Sequence, residues 1–174
     1  MRASSLLLAM ASVFGACGAC GQAGAFELAA KNPNFTVKVP SLPAIALDRQ
    51  PTSASNVSSA MAGDDGTYKV SLVVTRAASD TTTRACAGDF LKSLLARPGM
   101  PDRDNIYRTA LDENTFLVLY ILSTRGDLQL HAHLLSSASA THCIEMHFSR
   151  AGRDGEDDDG WRQSFVGSHI EDGR

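Results

Sequence analysis

The sequence predicts an α+β fold, a three-layer α/β/α sandwich whose central antiparallel sheet is flanked by two helices. Three consecutive strand patterns predict the sheet: Phe116–Ser123, Leu128–Leu135 and His142–Ser149. The first is an unbroken apolar run, and the other two alternate apolar and polar residues. This alternation gives one apolar face and one face that carries histidines, and the apolar first strand contributes to both. Because neither face is purely polar, each needs a cover, which two amphipathic helical patterns provide.

We call the second face the histidine face and define it by His131, His133, Glu145 and His147. Folding the second and third strand patterns together about Ser136–Ala140 predicts their register. Glu145 then lies opposite His131, and apolar residues oppose one another on the other face. A slip by one residue would turn every side chain to the wrong face, so the alternation constrains the pairing.

The remaining elements follow from local patterns. A helix is expected from about Arg84 to Arg97, where an apolar stripe that includes Cys86 repeats at helical spacing and Pro-Gly follows. Trp161–Ile170 predicts a second amphipathic helix, which we place on the apolar face. Gln50–Ala62 is either an irregular loop or a weak strand. Further strands are expected at Phe35–Val39, Ala44–Asp48, Tyr68–Thr75 and Ile106–Leu111.

Residues 1–25 predict a signal peptide. Arg2 is the positive start, Leu6–Phe14 is the apolar segment, and the small residues before Phe26 fit cleavage after Ala25. Residues 26–174 then form one exported domain. The apolar segment is too short to span a membrane, and no later stretch of the sequence is long enough. With a bacterial source, the predicted location is periplasmic or extracellular.

A lipid anchor is the alternative to simple secretion. Small residues precede both Cys17 and Cys20, as they precede the modified cysteine of bacterial lipoproteins. The usual Leu three residues before that cysteine is missing, since Phe14 or Cys17 stands there. The pattern therefore favours simple secretion.

Removal of the leader leaves two cysteines, Cys86 and Cys143. An even count in an exported chain predicts one disulfide, and a pair of buried free thiols is the alternative. Cys86 lies on the apolar stripe of the first predicted helix, whereas Cys143 lies on the histidine face. A bridge would therefore place this helix over the histidine face.

The composition is that of a globular protein, with 44% hydrophobic and 20% charged residues and a formal net charge of −3. There is no basic patch and no interleaving of basic and aromatic residues. The sequence therefore predicts no nucleic-acid partner.

The best candidate for chemistry is the set His131, Glu145 and His147, with His133 beside it. Imidazoles and a carboxylate are ligands that zinc accepts. The same spacing also follows from plain strand alternation, which favours a His–Glu hydrogen bond that stiffens the sheet. The sequence has no Gly-x-Ser-x-Gly elbow, no thiol outside the predicted disulfide and no phosphate-binding glycine loop in the mature chain. It therefore predicts no catalytic residue and no cofactor, with zinc as the alternative.

The order of elements resembles the PsbP-like family of small exported and lipid-anchored proteins. The resemblance rests on the opening F-x-V-x-V-P-x-x-P at Phe35–Pro43, the Tyr68–Thr75 strand, a helix, antiparallel strands and a closing helix bearing Phe165. It runs from about Asn34 to Ile170. It implies a sheet flanked by helices that serves as a binding or accessory module rather than an enzyme.

The sequence therefore predicts an exported, non-catalytic module that recognises a protein partner or a component of the cell envelope. The alternative is a metal-binding protein or a metal-dependent hydrolase that uses His131, Glu145 and His147.

Overall fold

The computed structural model describes residues 24–77, 80–124, 127–138, 140–153, 156 and 158–173. In this part of the chain, ten strands form two antiparallel sheets. The strands are β1 (Phe26–Lys31), β2 (Asn34–Val39), β3 (Asp48–Arg49), β4 (Val57–Asp64), β5 (Tyr68–Arg76), β6 (Tyr107–Ala110), β7 (Phe116–Thr124), β8 (Asp127–Ala138), β9 (His142–Ala151) and β10 (His169–Asp172). The helices are α1 (Thr83–Leu95), α2 (Asp158–Gln163) and a short 3-10 helix at Arg103–Asn105.

The predicted three-layer α/β/α sandwich is wrong, because the fold is mostly β. The seven-stranded sheet has the order β3-β4-β5-β9-β8-β7-β6, and the second sheet has the order β1-β2-β10. The one long helix of the described residues, α1, packs on the histidine face. The apolar face is covered instead by the three-stranded sheet together with the six-residue α2.

The second predicted helix fails because its sequence stops favouring a helix after Gln163. Val166 and Gly167 both have low helix propensity, and Gly167 adopts a positive φ of 77°. Beyond Gln163 the backbone makes single turns, such as the bond from the Ser168 N–H to the Phe165 carbonyl. The chain then reverses into β10, which pairs with β2.

The sequence also missed β1, and β1 places β2 in the middle of its sheet rather than at an edge. The weak-strand alternative for Gln50–Ala62 is correct from Val57 onward. Phe26, the residue after the predicted cleavage site, is the first residue of β1 and is buried. The predicted leader lies outside the described residues up to residue 23, as do Cys17 and Cys20.

The main core lies between the two sheets. Phe26 meets Phe148 edge-on with ring centroids 5.2 Å apart, and Trp161 meets Phe165 in the same way at 4.9 Å. A smaller core lies between α1 and the histidine face. Its members are Ala87, Leu94, Ile106, Val118, Tyr120 and Leu135.

The faces of the β8–β9 hairpin follow the prediction, but its register differs by four residues. Ser149 lies opposite His131, whereas Glu145 lies opposite Leu135. An even shift leaves every side chain on its face, so alternation cannot distinguish these registers. The predicted loop at Ser136–Ala140 is instead strand as far as Ala138, with Ser136 buried, and this longer strand sets the pairing.

Cys86 and Cys143 lie at disulfide distance, with their sulfurs 2.00 Å apart and their Cα atoms 5.6 Å apart. The bridge ties the first turn of α1 to β9. Thr82 caps this turn, since its hydroxyl accepts the Ala85 N–H at 3.2 Å. Among the described residues, no helix has the length and apolar character needed to cross a membrane.

Candidate functional site: the histidine face

The strands place the polar side chains of the histidine face on a diagonal grid. Each strand contributes every second residue, and the pairing of β7, β8, β9 and β5 aligns them in rows across the sheet. One row holds Tyr120, His131, Ser149 and Lys69; the next holds Val118, His133, His147 and Ser71; a third holds Phe116, Leu135, Glu145 and Val73. Hydrogen bonds connect side chains of neighbouring rows on adjacent strands.

Tyr120, His133 and Glu145 form one continuous chain of hydrogen bonds. The Glu145 Oε1 atom lies 3.1 Å from His133 Nδ1, and the Tyr120 hydroxyl lies 3.1 Å from His133 Nε2. Because a carboxylate accepts, His133 donates through its Nδ1–H. In the neutral ring, Nε2 is then the acceptor, so the Tyr120 hydroxyl donates to it. Both nitrogens of His133 are therefore occupied.

His131 and His147 form a second, separate pair. Their Nδ1 and Nε2 atoms lie 3.0 Å apart, the ring planes differ by 4°, and the ring centroids are 5.3 Å apart. The distance between the ring centroids exceeds the distance between the nitrogens by about two ring radii, so both nitrogens lie almost on the line that joins the ring centres. One nitrogen donates and the other accepts. His131 Nε2 is buried without a hydrogen-bond partner among the described residues.

The rings of this face are stacked and partly sealed by α1. His133 stacks on His147 with centroids 4.3 Å apart, and Tyr120 stacks on His131 at 4.8 Å. Phe90 of α1 covers His133 with centroids 4.5 Å apart. Tyr120 and His133 are consequently only 6% and 4% exposed. The cover is incomplete, because an open depression of about 510 Å³ lies beside His147 and is lined by Ala62, Ser71 and Ser149, among others.

Burial keeps the three imidazoles neutral. It lowers the pKa of His147 to about 2 and that of His131 to about 4, and the neighbouring histidines add to both effects. Burial also lowers the pKa of His133, and the hydrogen bond and charge of Glu145 offset this only in part. The pKa of the Tyr120 hydroxyl is raised to about 12, chiefly by burial. The groups are therefore uncharged donors and acceptors near neutral pH.

The structure does not gather the predicted zinc ligands around one point. His131 and His147 meet, but their bonded nitrogens point at each other, and Glu145 bonds to His133 instead. Within the described residues, no group of three or more His, Cys, Asp or Glu side chains is arranged to hold a metal ion. The expected opposition of His131 and Glu145 is wrong because of the four-residue register shift.

Sequence reasoning underestimated Tyr120 and His133. Tyr120, which lies opposite His131 in the structure, was not among the predicted site residues, and His133 was placed only beside the predicted zinc ligands. The diagonal contacts depend on the register, so the sequence could place both residues on the histidine face without pairing them.

No family model and no curated protein matches this sequence. Among solved structures, a chain from Bacteroides thetaiotaomicron VPI-5482 is similar, with a TM-score of 0.45 and 8% sequence identity. The match covers 80% of this chain and 45% of that chain, so this chain spans less than half of that structure's length. The PsbP-like resemblance stays a prediction.

Proposed function

We propose that the protein is an exported, non-catalytic binding module that recognises a protein partner or a component of the cell envelope. The observation that carries this proposal is the closed Tyr120–His133–Glu145 chain beneath Phe90. Tyr120, His133 and Glu145 are the side chains that most resemble an active site, and they hydrogen-bond to one another.

The buried chain is poorly suited to proton transfer with a substrate. A general base needs a free nitrogen within reach of the substrate and a pKa near the working pH. Both nitrogens of His133 are occupied, and burial lowers its pKa. A tyrosine with a pKa of about 12 is likewise a weak acid and a rarely ionised nucleophile at neutral pH.

Export is supported by the leader pattern of residues 1–25 and by the cysteine pair. Disulfides persist in oxidising compartments and are rare in the reducing cytosol. Cys86 and Cys143 stand at bonding distance across the α1–β9 contact. An envelope or extracellular location would also bring the protein together with exported partners.

The test is a pull-down of the tagged full-length protein, expressed with its leader in its own cells. We expect the mature chain to begin at Phe26 outside the cytoplasm, and one dominant protein or envelope component to remain bound in salt. N-terminal sequencing and mass spectrometry provide both readouts. A chain that keeps its leader in the cytoplasm would contradict export, and an empty pull-down would contradict the binding role.

Metal analysis of the same preparation tests the alternative. Protein purified without chelators should contain no stoichiometric zinc, because the bonded nitrogens of His131 and His147 do not converge on a common point. Stoichiometric zinc that is lost in a His131→Ala, His147→Ala double variant would favour a metal-binding protein. A His142→Ala, His169→Ala double variant is the control, since it removes two imidazoles outside the histidine face.

A further inference from the structure

An open groove lies where the two sheets meet at their edges. It has a volume of about 780 Å³ and runs between β6 and the segment that leads into β10. Tyr107, Thr109 and Leu111 line one side, and Val166 lies on the other. Val166 is 60% exposed, which makes it the most exposed large apolar side chain in the described part of the chain. The groove thus combines a strand edge with an uncovered apolar side chain.

The backbone of β6 is unpaired on its outer side. Among the strands that the structure describes, β6 is the end strand of its sheet and pairs with β7 alone. The Leu111 N–H donates to the Thr115 carbonyl at 2.9 Å, so alternation turns the backbone N–H groups of Arg108 and Ala110 away from β7. Neither N–H has a hydrogen-bond partner among the described residues. Such an edge is a template for a further strand.

The far wall of the groove is held in place by a bond between the two sheets. Thr115 is fully buried, and its hydroxyl accepts the Ile170 N–H of β10 at 2.8 Å. The same β10 residue pairs with Val37 in the three-stranded sheet. The groove is therefore a gap between fixed strands, so an added segment would meet a preformed surface.

The charge of the groove selects a basic occupant. Its lining residues include the acidic side chains of Asp112, Glu113 and Glu171 and neither lysine nor arginine. Two arginines lie nearby: Arg108 of β6 is on the opposite face of the sheet, where it pairs with Val118, and Arg162 stacks on the Tyr107 ring at 4.0 Å. Lys38 balances the charge of Glu171 in part, at 3.5 Å, and the His169 Nε2 atom lies 3.1 Å from the same carboxylate. Opposite charge at such a rim raises the rate and the specificity of association.

We propose that this groove binds an extended, lysine- or arginine-containing segment of a protein partner, which adds to β6 as a further strand. The inference rests on the proposed binding role and gives it a surface. The Arg108 and Ala110 N–H groups donate to the backbone of the segment, Val166 contacts its small apolar side chains, and the three carboxylates face its basic ones.

A defined peptide tests the groove directly. The probe is an acetylated, amidated peptide of alternating lysine and valine, and its glutamate–valine counterpart is the charge control. The full mature chain should bind the basic peptide saturably, and binding should slow amide hydrogen exchange at Arg108 and Ala110 by at least about tenfold. Ala110→Pro removes an outward N–H donor and should therefore weaken binding by at least about tenfold. The variant should still fold, because proline is tolerated at an edge strand where the N–H faces outward.

Two surface variants test the groove without placing a proline in β6. Glu113→Lys and Val166→Asp should each weaken binding by roughly three- to tenfold. Their matched controls are Glu27→Lys, at an exposed position of β1, and Leu95→Asp, at the other exposed large apolar residue, which is 39% exposed. Both controls should leave the affinity within about twofold of wild type.

Several outcomes would overturn the groove assignment. They are equal affinity for the acidic peptide, unchanged binding by Ala110→Pro, and unprotected amides at Arg108 and Ala110. Self-association that Ala110→Pro abolishes would identify a second copy as the occupant instead. A cellular partner retained equally by wild type and Ala110→Pro would keep the binding module and reject this groove. An empty pull-down together with intact peptide binding would keep the groove as a peptide-binding surface and reject the proposed cellular partner.

Discussion

The two faces of the seven-stranded sheet are closed by different physical means. The apolar face packs aromatic rings and aliphatic chains against a second sheet, as in the edge-on contact of Phe26 with Phe148. The histidine face is held by three directional bonds of 3.0–3.1 Å: two join His133 to Tyr120 and Glu145, and one joins His131 to His147. Apolar burial is non-directional, whereas a buried hydrogen bond is costly when one partner is lost.

The two faces should therefore contribute differently to the stability of the fold. The apolar face carries the larger of the two apolar cores and should dominate stability at every pH. The histidine face should depend on protonation, on the cover by α1 and on the bridge that holds α1 in place. Variants on the apolar face should therefore lower the free energy of unfolding more, and variants on the histidine face should change its dependence on pH.

The largest effect should come from Trp161→Ala on the apolar face. Trp161 is fully buried, packs against Phe165 and stacks on Tyr68. Loss of this side chain should lower the free energy of unfolding by about 3–5 kcal/mol, through lost burial and a cavity. Urea unfolding followed by fluorescence or circular dichroism measures it. Val166→Ala is the exposed control and should change stability by less than about 0.5 kcal/mol.

Loss of the bridge should have the next largest effect. The sequence separation of Cys86 and Cys143 is 57 residues. The chain-entropy relation gives about 4 kcal/mol for a closed loop of this length, and disulfides typically contribute about 2–4 kcal/mol. Reduction, or Cys86→Ala with Cys143→Ala, should lower the melting temperature accordingly and increase hydrogen exchange in α1 before β2. Unchanged melting under reductant would argue against the bridge and against α1 as a tethered cover.

Tyr120→Phe tests one bond of the histidine face. The substitution removes the hydroxyl and leaves the buried His133 Nε2 without its donor, which should cost about 2 kcal/mol. Tyr107→Phe is the matched control, because Tyr107 is only half-buried and contacts Arg162 through its ring face. If both variants cost the same, the buried chain contributes no specific stability.

The pH dependence of stability should originate on the histidine face. The pKa of His147 falls from 6.5 to about 2 on folding, so the unfolded chain binds more protons below pH 6.5. This contribution is fully present above that pH and is lost as the pH falls, by about 1–2 kcal/mol between pH 6.5 and 5. His147→Gln should reduce this dependence in urea titrations, and the part due to His131 and His133, whose pKa values are also lowered, should remain. Phe165→Leu, a variant of the apolar face, should lower stability without changing the slope.

The sequence determined the composition of each face better than the pairing between strands. Alternation placed Tyr120, His131 and Glu145 on one face, and the predicted bridge from Cys86 to Cys143 placed α1 above it. The contacts among these residues depend on whether Ser136 belongs to a strand or a loop, and serine is compatible with both.

The cover of the apolar face was harder to predict. The apolar residues from Trp161 to Ile170 fit a helix, but Gly167 and the β10–β2 ladder divert the chain into a strand. The pairing of β1 with β2 is likewise a tertiary choice, since a strand of six residues carries little local information.

The most direct test of the account is nitrogen NMR of the histidine rings in the native protein. At pH 7 and pH 5, His133 should be neutral with its proton on Nδ1, and His131 and His147 should remain neutral and share one N–H···N bond. That result would establish the Tyr120–His133–Glu145 chain and the His131–His147 pair as structural hydrogen bonds. A charged His133, a proton on its Nε2, or titration of His147 near pH 6.5 would contradict it and return the histidine face to consideration as a reactive site.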